Sequence, residues 1–122
     1  MTTLTSLVTG GGARKRETLI LGHLASNQKT AIILEGLPDG SSELDAQTGN
    51  SLLTIVRIAP GCMCCTGNMI MRVHLNRILR SKPARLYISV ANSEHIEQLR
   101  LFLAQPPYDT LLTLTDDIAV AT

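Results

Sequence analysis

Tryptophan is absent from this 122-residue chain, and one phenylalanine and two tyrosines supply all of its phenol and phenyl rings. A core must therefore be assembled from Leu, Ile, Val, Ala and Met, which the 44% apolar content allows. The same shortage leaves few platforms for stacking on nucleic-acid bases, so nucleic acid is not an expected partner. No apolar run approaches the ~20 residues that span a bilayer. The N-terminal stretch also lacks the basic-then-apolar layout of a secretory leader. A soluble, cytoplasmic protein without a membrane partner is the expectation, and in that compartment thiols stay reduced. Acidic residues are missing from the whole interval between Asp45 and Glu94. Arg57, Arg72, Arg77, Arg80, Lys82 and Arg85 fall inside it. With a formal net charge of +1, this asymmetry reads first as a solvated basic face balanced by acids elsewhere.

What the chain does contain is concentrated. All three cysteines sit in Gly61-Cys62-Met63-Cys64-Cys65, just after a Pro60-Gly61 turn. An odd number leaves at least one thiol unpaired in a monomer. Adjacent Cys64 and Cys65 would not share one face of a strand or helix, which weakens a reading as inert buried thiols. Thiolates favour Zn²⁺, Cu⁺ and iron–sulfur clusters. A closed tetrahedral zinc site needs a fourth ligand. Glu35, His74, a water or a group from a second chain can fill that place. Met63, Met69 and Met71 lie nearby and hint at copper, although Met69 and Met71 read more simply as core residues.

The surrounding pattern alternates strands and helices. Leu4 to Thr9, Thr30 to Leu34, Leu52 to Ile58, Arg85 to Ala91 and Thr110 to Thr115 read as strands. A first helix is expected from near Glu17, closing at Asn27 and Gln28, with Leu21, Leu24 and Ala25 inward. A second is expected from Asn68 to Arg80, with Met71, Leu75, Ile78 and Leu79 inward. A third buries Ile96, Leu99, Phe102 and Leu103 and stops at Pro106-Pro107. Glu35 to Asn50 has the composition of a long loop. Asp116-Asp117 opens a short tail. Near-continuous aliphatic strands between helices predict one α/β domain over residues 1–122, a mostly parallel sheet of about five strands with three flanking helices.

Between the first strand and first helix stands Gly10-Gly11-Gly12-Ala13-Arg14-Lys15-Arg16-Glu17. Strand, glycines, basic residues and helix form the layout of a phosphate-binding loop, in which backbone N–H groups and a helix N-terminus meet an anion. Against G-x-x-x-x-G-K-[ST], Gly10 fits the first position. Lys15 then replaces the second glycine, Arg16 the lysine and Glu17 the Mg²⁺-binding hydroxyl. Gly10, Gly12, Lys15 and Arg16 are thus candidates for a degenerate nucleotide or anion site.

Taken together, these motifs resemble the CobW-like GTPases, a metallochaperone branch of the P-loop GTPases. Leu7-Val8-Thr9-Gly10 corresponds to the family's opening strand and loop. Glu35 falls where the family has the acid of N-E-F-G. Gly61-Cys62-Met63-Cys64-Cys65-Thr66 matches G-C-I-C-C-T almost completely. Ile88 to Asn92 stands where I-E-T-S-G is expected, with its acid, serine and glycine replaced. The resemblance covers essentially the whole chain but only about the N-terminal half of a family member, so a truncated domain without N-K-x-D is expected. It implies a P-loop three-layer fold with Cys62, Cys64, Cys65 and Glu35 as metal ligands. Zn²⁺ is the expected ion, Co²⁺ or Cu⁺ the alternatives, and GTP binding and hydrolysis are not expected. The competing readings are an interaction module that forms a homodimer or docks on a protein partner such as a full-length relative, an active GTPase, and a nucleic-acid binder.

Overall fold

The computed structural model describes residues 2–10, 12–24, 28–35, 52–58, 69–90, 96–106 and 108–119, with the backbone alone for 13, 14 and 69–71. Along the chain run β1 (Thr3–Thr9), α1 (Ala13–His23), β2 (Thr30–Glu35), β3 (Leu53–Ile58) and α2 (Met69–Arg80). These are followed by β4 (Arg85–Ser89), α3 (Ile96–Leu103), a one-turn α4 (Tyr108–Leu111), β5 (Leu112–Leu114) and β6 (Ile118–Ala119). The sheet order is β3-β2-β4-β1-β5, with β6 also on β1, and every pairing is parallel. This is the expected P-loop-type α/β fold.

Alternation along the strands divides two apolar layers, as the period of two requires. Leu7, Ala31, Ile33, Leu86 and Ile88 face one way, onto Leu75, Ile78 and Leu79 of α2 and Leu99 and Leu103 of α3. Val8, Ile32, Leu34 and Tyr87 face the other way, onto Ile20 of α1 with Leu21 and Leu24 beside it. The central strands are buried on both faces, which is why their sequences read as continuous aliphatic runs.

Several boundaries differ from expectation. Helix α1 starts at Ala13, about one turn before Glu17, because Ala, Arg and Lys are good helix formers and Gly12 serves as N-cap in extended geometry. It ends at His23, and Asn27 lies outside the described residues. The C-terminal run expected as one strand from Thr110 is split. Thr110 and Leu111 close α4, whose Tyr108 hydroxyl donates to Asn76 Oδ1 at 2.9 Å and whose ring packs on Phe102. Tertiary anchoring of Tyr108 thus overrides the β-propensity of the Thr-Leu-Leu run. Beyond β5 the chain regains β1 as a sixth strand rather than leaving as a tail. Thr5 faces Leu114 and Val8 faces Ile118, so two intervening residues of β1 lie opposite three of the edge. The extra residue makes an interruption of the bulge kind, which Asp117 closes with an ion pair to Arg100.

The sheet's topology fixes where a ligand would sit. From β1 the chain crosses to β2 on one side, and from β4 it crosses over β1 to β5 on the other. Reversal of this kind opens a crevice outside the carboxyl ends of the strands. Ile88, fully buried in the strand between β2 and β1, is the packing centre beneath that edge. Ile88→Ala is expected to lower stability by roughly 2–5 kcal/mol, seen as a lower urea midpoint at unchanged slope.

Candidate functional site

Parallel pairing brings Gly10 after β1, Glu35 of β2, Ile58 of β3 and Ser89 of β4 to one edge. Gly10 turns with φ of 85°, the left-handed region that glycine enters without strain. Because α1 begins at Ala13, the glycines alone form the connection, and Lys15, Arg16 and Glu17 lie within the helix. The Arg16 amide already donates to the Gly12 carbonyl at 3.1 Å. Gly12 and Lys15 are exposed, whereas Arg16 and Glu17 are buried.

Buried charges must be paired to persist, and these are. The Arg16 guanidinium turns back under the loop, donating from Nε to Ser89 Oγ at 2.7 Å and from Nη1 to the Gly10 carbonyl at 3.3 Å. Burial pulls its pKa below the ordinary arginine value, while Glu35 and Glu17 act in the opposite direction. Arginine remains cationic at neutral pH under such opposing influences. Glu17 accepts a two-pronged bond from Arg57, at 3.2 Å from Nη1 and 2.9 Å from Nη2. Parity explains that contact: Leu53, Ile55 and Arg57 fall on the α1 side of β3. Two guanidinium groups and two carboxylates thus balance at the strand edge.

Glu35 is buried and takes the opposite parity, with Ala31 and Ile33, on the face covered by α2. Its in-register neighbour is Ile58, the last residue of β3, and adjacent strands lie about 4.8 Å apart. Cys62, Cys64 and Cys65 fall in 59–68, which joins β3 to α2 and lies outside the described residues. Cys62 follows Ile58 by four residues, a reach of at most about 14 Å. Glu35 ends the strand next to β3, and thiolates and carboxylates are both donors that zinc accepts. Among the described residues no three His, Cys, Asp or Glu side chains cluster as a metal site. His74, the other candidate for fourth ligand, is half-buried on α2 with Nδ1 3.1 Å from Arg77 Nη2.

The sequence named Glu35 and Arg16 as candidates but not their setting. It treated Arg57 as part of a basic stretch and Ser89 only as a departure from a motif. The parity of Arg57 with Leu53 and Ile55 was the available signal for its turn toward α1.

Comparison with known proteins gives one informative match. The chain is 32% identical over 123 residues to the zinc chaperone YeiR of Escherichia coli (strain K12), across 97% of this chain and 37% of the relative. It therefore spans little more than a third of that protein's length. No family model matches the chain, and no solved structure does.

Arg57→Ala leaves the Glu17 carboxylate without its bidentate partner. The expected loss lies toward the lower end of roughly 3–5 kcal/mol, since Arg57 keeps one-fifth of its side chain exposed. Replacing both residues by Met is expected to recover most of that loss in chemical denaturation, because neither charge is then stranded.

Proposed function

The chain is a CobW-like relative, and from that premise we propose that it binds zinc through Cys62, Cys64, Cys65 and Glu35 without hydrolysing nucleotide. The observation that carries this reading is the buried Glu35 carboxylate, in register with the last residue of the strand that leads into Gly61-Cys62-Met63-Cys64-Cys65. A carboxylate removed from water at a sheet edge within tether of three thiols supplies the fourth donor of a tetrahedral site. Such a donor set takes Co²⁺ in the same geometry and, through its thiolates, Cu⁺. The relative's name, zinc chaperone, supports zinc as the ion and delivery or buffering as the role.

The nucleotide side is read as degenerate for a structural reason. A phosphate cradle needs free backbone amides converging on an anion and a cation reaching it. Here the helix has taken up Ala13 to Arg16, and the Arg16 guanidinium is turned onto Gly10 and Ser89. Where Mg²⁺ would find a hydroxyl there is Glu17, already held by Arg57. These placements support reading the chain as a non-hydrolysing member of the P-loop type. Among the described residues no helix is long and apolar enough to cross a membrane.

Self-association is a second reading favoured by β3. Among the described residues β3 pairs on one side only, and Leu53, Ile55 and Val56 are half-buried along it. Edge strands of this kind recruit another strand, and antiparallel pairing of two copies would close as a dimer.

Protein purified reduced and without chelators is expected to carry close to one zinc per chain by elemental analysis. The Cys62→Ser, Cys64→Ser, Cys65→Ser triple variant is expected to carry none, and zinc retained in that variant overturns the reading. Neither binding nor turnover of GTP is expected with Mg²⁺ present. Sedimentation over a hundredfold range of concentration tests the edge: a dimer that Ile55→Lys converts to monomer is the expected result.

A further inference from the structure

The amino-terminal ends of the strands carry a second opening, on the edge away from Gly10. Thr3 begins β1 there, Lys29 precedes β2, Leu111 precedes β5, and Lys82 and Pro83 lie between α2 and β4. These residues surround a cleft of about 380 Å³, within the range of small-molecule sites. Backbone bonds fix its floor. The Ala84 amide donates to the Lys29 carbonyl at 2.8 Å and the Leu4 amide to the Ala84 carbonyl at 3.1 Å. Thr3 Oγ1 donates to the Pro83 carbonyl at 2.8 Å.

The lining divides by chemistry. Leu79, Pro83 and Leu111 offer apolar surface, and Leu111 remains 43% exposed. Lys29 and Lys82 supply two cations, and no carboxylate lines the cleft. Asp109, beside the lining Thr110, is exposed and takes no part in it. Lys29 Nζ donates to the Ser81 carbonyl at 2.7 Å, which places its ammonium at the end of α2 and leaves two N–H groups for a ligand.

Lys82 is the less expected of the two lysines. Its φ of 52° is left-handed, a region that side chains enter at a cost. The turn itself closes α2 in an ordinary way, with the Ser81 and Lys82 amides donating to the Ile78 and Leu79 carbonyls at 3.0 and 3.2 Å. Glycine is the usual residue in such a turn. A lysine near a helix C-terminus is favourable, but Lys29 already fills that role through Ser81. Strain retained where glycine would serve points to a use for the side chain.

We propose that this cleft binds a small organic anion. Its carboxylate or phosphate head lies between Lys29 and Lys82, and a short apolar body lies against Leu79, Pro83 and Leu111. Ammonium groups act as point charges and accept either head group. The site stands at the opposite end of the strands from Glu35, so it does not depend on the metal reading.

The test is a titration of the isotope-labelled full chain, followed by amide NMR shifts, with hexanoate, hexyl phosphate, hexanol and inorganic phosphate as probes. Hexanoate or hexyl phosphate is expected to shift the Lys29, Lys82 and Leu111 amides with a Kd of about 1 mM, which a ligand of so few atoms can reach. The tighter of the two identifies the head group. Hexanol lacks the charge and inorganic phosphate the apolar body, so each is expected to bind about tenfold more weakly or less. Lys29→Gln is expected to weaken binding of the organic anions about two- to fivefold. Lys82→Gly is expected to weaken it to a similar degree while leaving the urea midpoint equal or higher, because glycine enters the left-handed region freely. Unchanged binding in Lys82→Gly, hexanol binding as tightly as the anions, or no shift at these amides overturns the proposal.

Discussion

Four charged side chains at the carboxyl edge of the sheet have to satisfy one another, and much of the local architecture follows from that requirement. Arg16, Glu17 and Glu35 are buried, and Arg57 is largely so. Each would be costly alone in a region of low dielectric. Their solution uses the topology directly. Glu17 meets Arg57 on the α1 side, while Arg16 spans from Gly10 to Ser89 within the attraction of Glu35. Helix α1, β2, β3 and β4 are tied at one end by charge and along their length by aliphatic packing. The inward stripe of α1 shows the change in a single element, from Arg16 and Glu17 at its start to Ile20 further on, with Leu24 just past its end.

This arrangement also links the two halves of the functional account. In the P-loop layout the residues at positions 16 and 17 face a diffusible anion and its metal. Here the same positions are committed to neighbours within the chain. Arg57 pairs with Glu17, and Arg16 donates to Ser89 Oγ and the Gly10 carbonyl while feeling the attraction of Glu35. The opposite face of the edge keeps a buried carboxylate next to the strand that leads to the thiols.

Much of the fold was legible in the sequence because aliphatic runs separated by helical periods leave few alternatives to a parallel sheet. Leu75, Ile78 and Leu79 of α2, and Leu99 and Leu103 of α3, lie inward as their spacing predicts. Ile20 was missed because charged residues precede it on the inward stripe of α1, so the apolar periodicity there is short. The early start of α1 was obscured by the glycine-rich motif, which suggested a longer loop than three glycines form. Residues 116–119 were read as a tail because Asp116-Asp117 breaks the apolar run, yet β1 offers backbone that Ile118 and Ala119 pair with. For the site, the family resemblance named Glu35, which is buried at the end of β2, and Cys62, Cys64 and Cys65 lie in a segment outside the described residues. The Glu17–Arg57 pair joins positions forty residues apart and has no local signature.

The central claim concerns what holds the ion, and X-ray absorption at the zinc edge of the loaded protein tests it most directly. Three sulfur neighbours near 2.3 Å and one oxygen near 2.0–2.2 Å are expected, with the oxygen contribution altered in the Glu35→Gln chain. A shell of nitrogen and oxygen without sulfur would contradict the account.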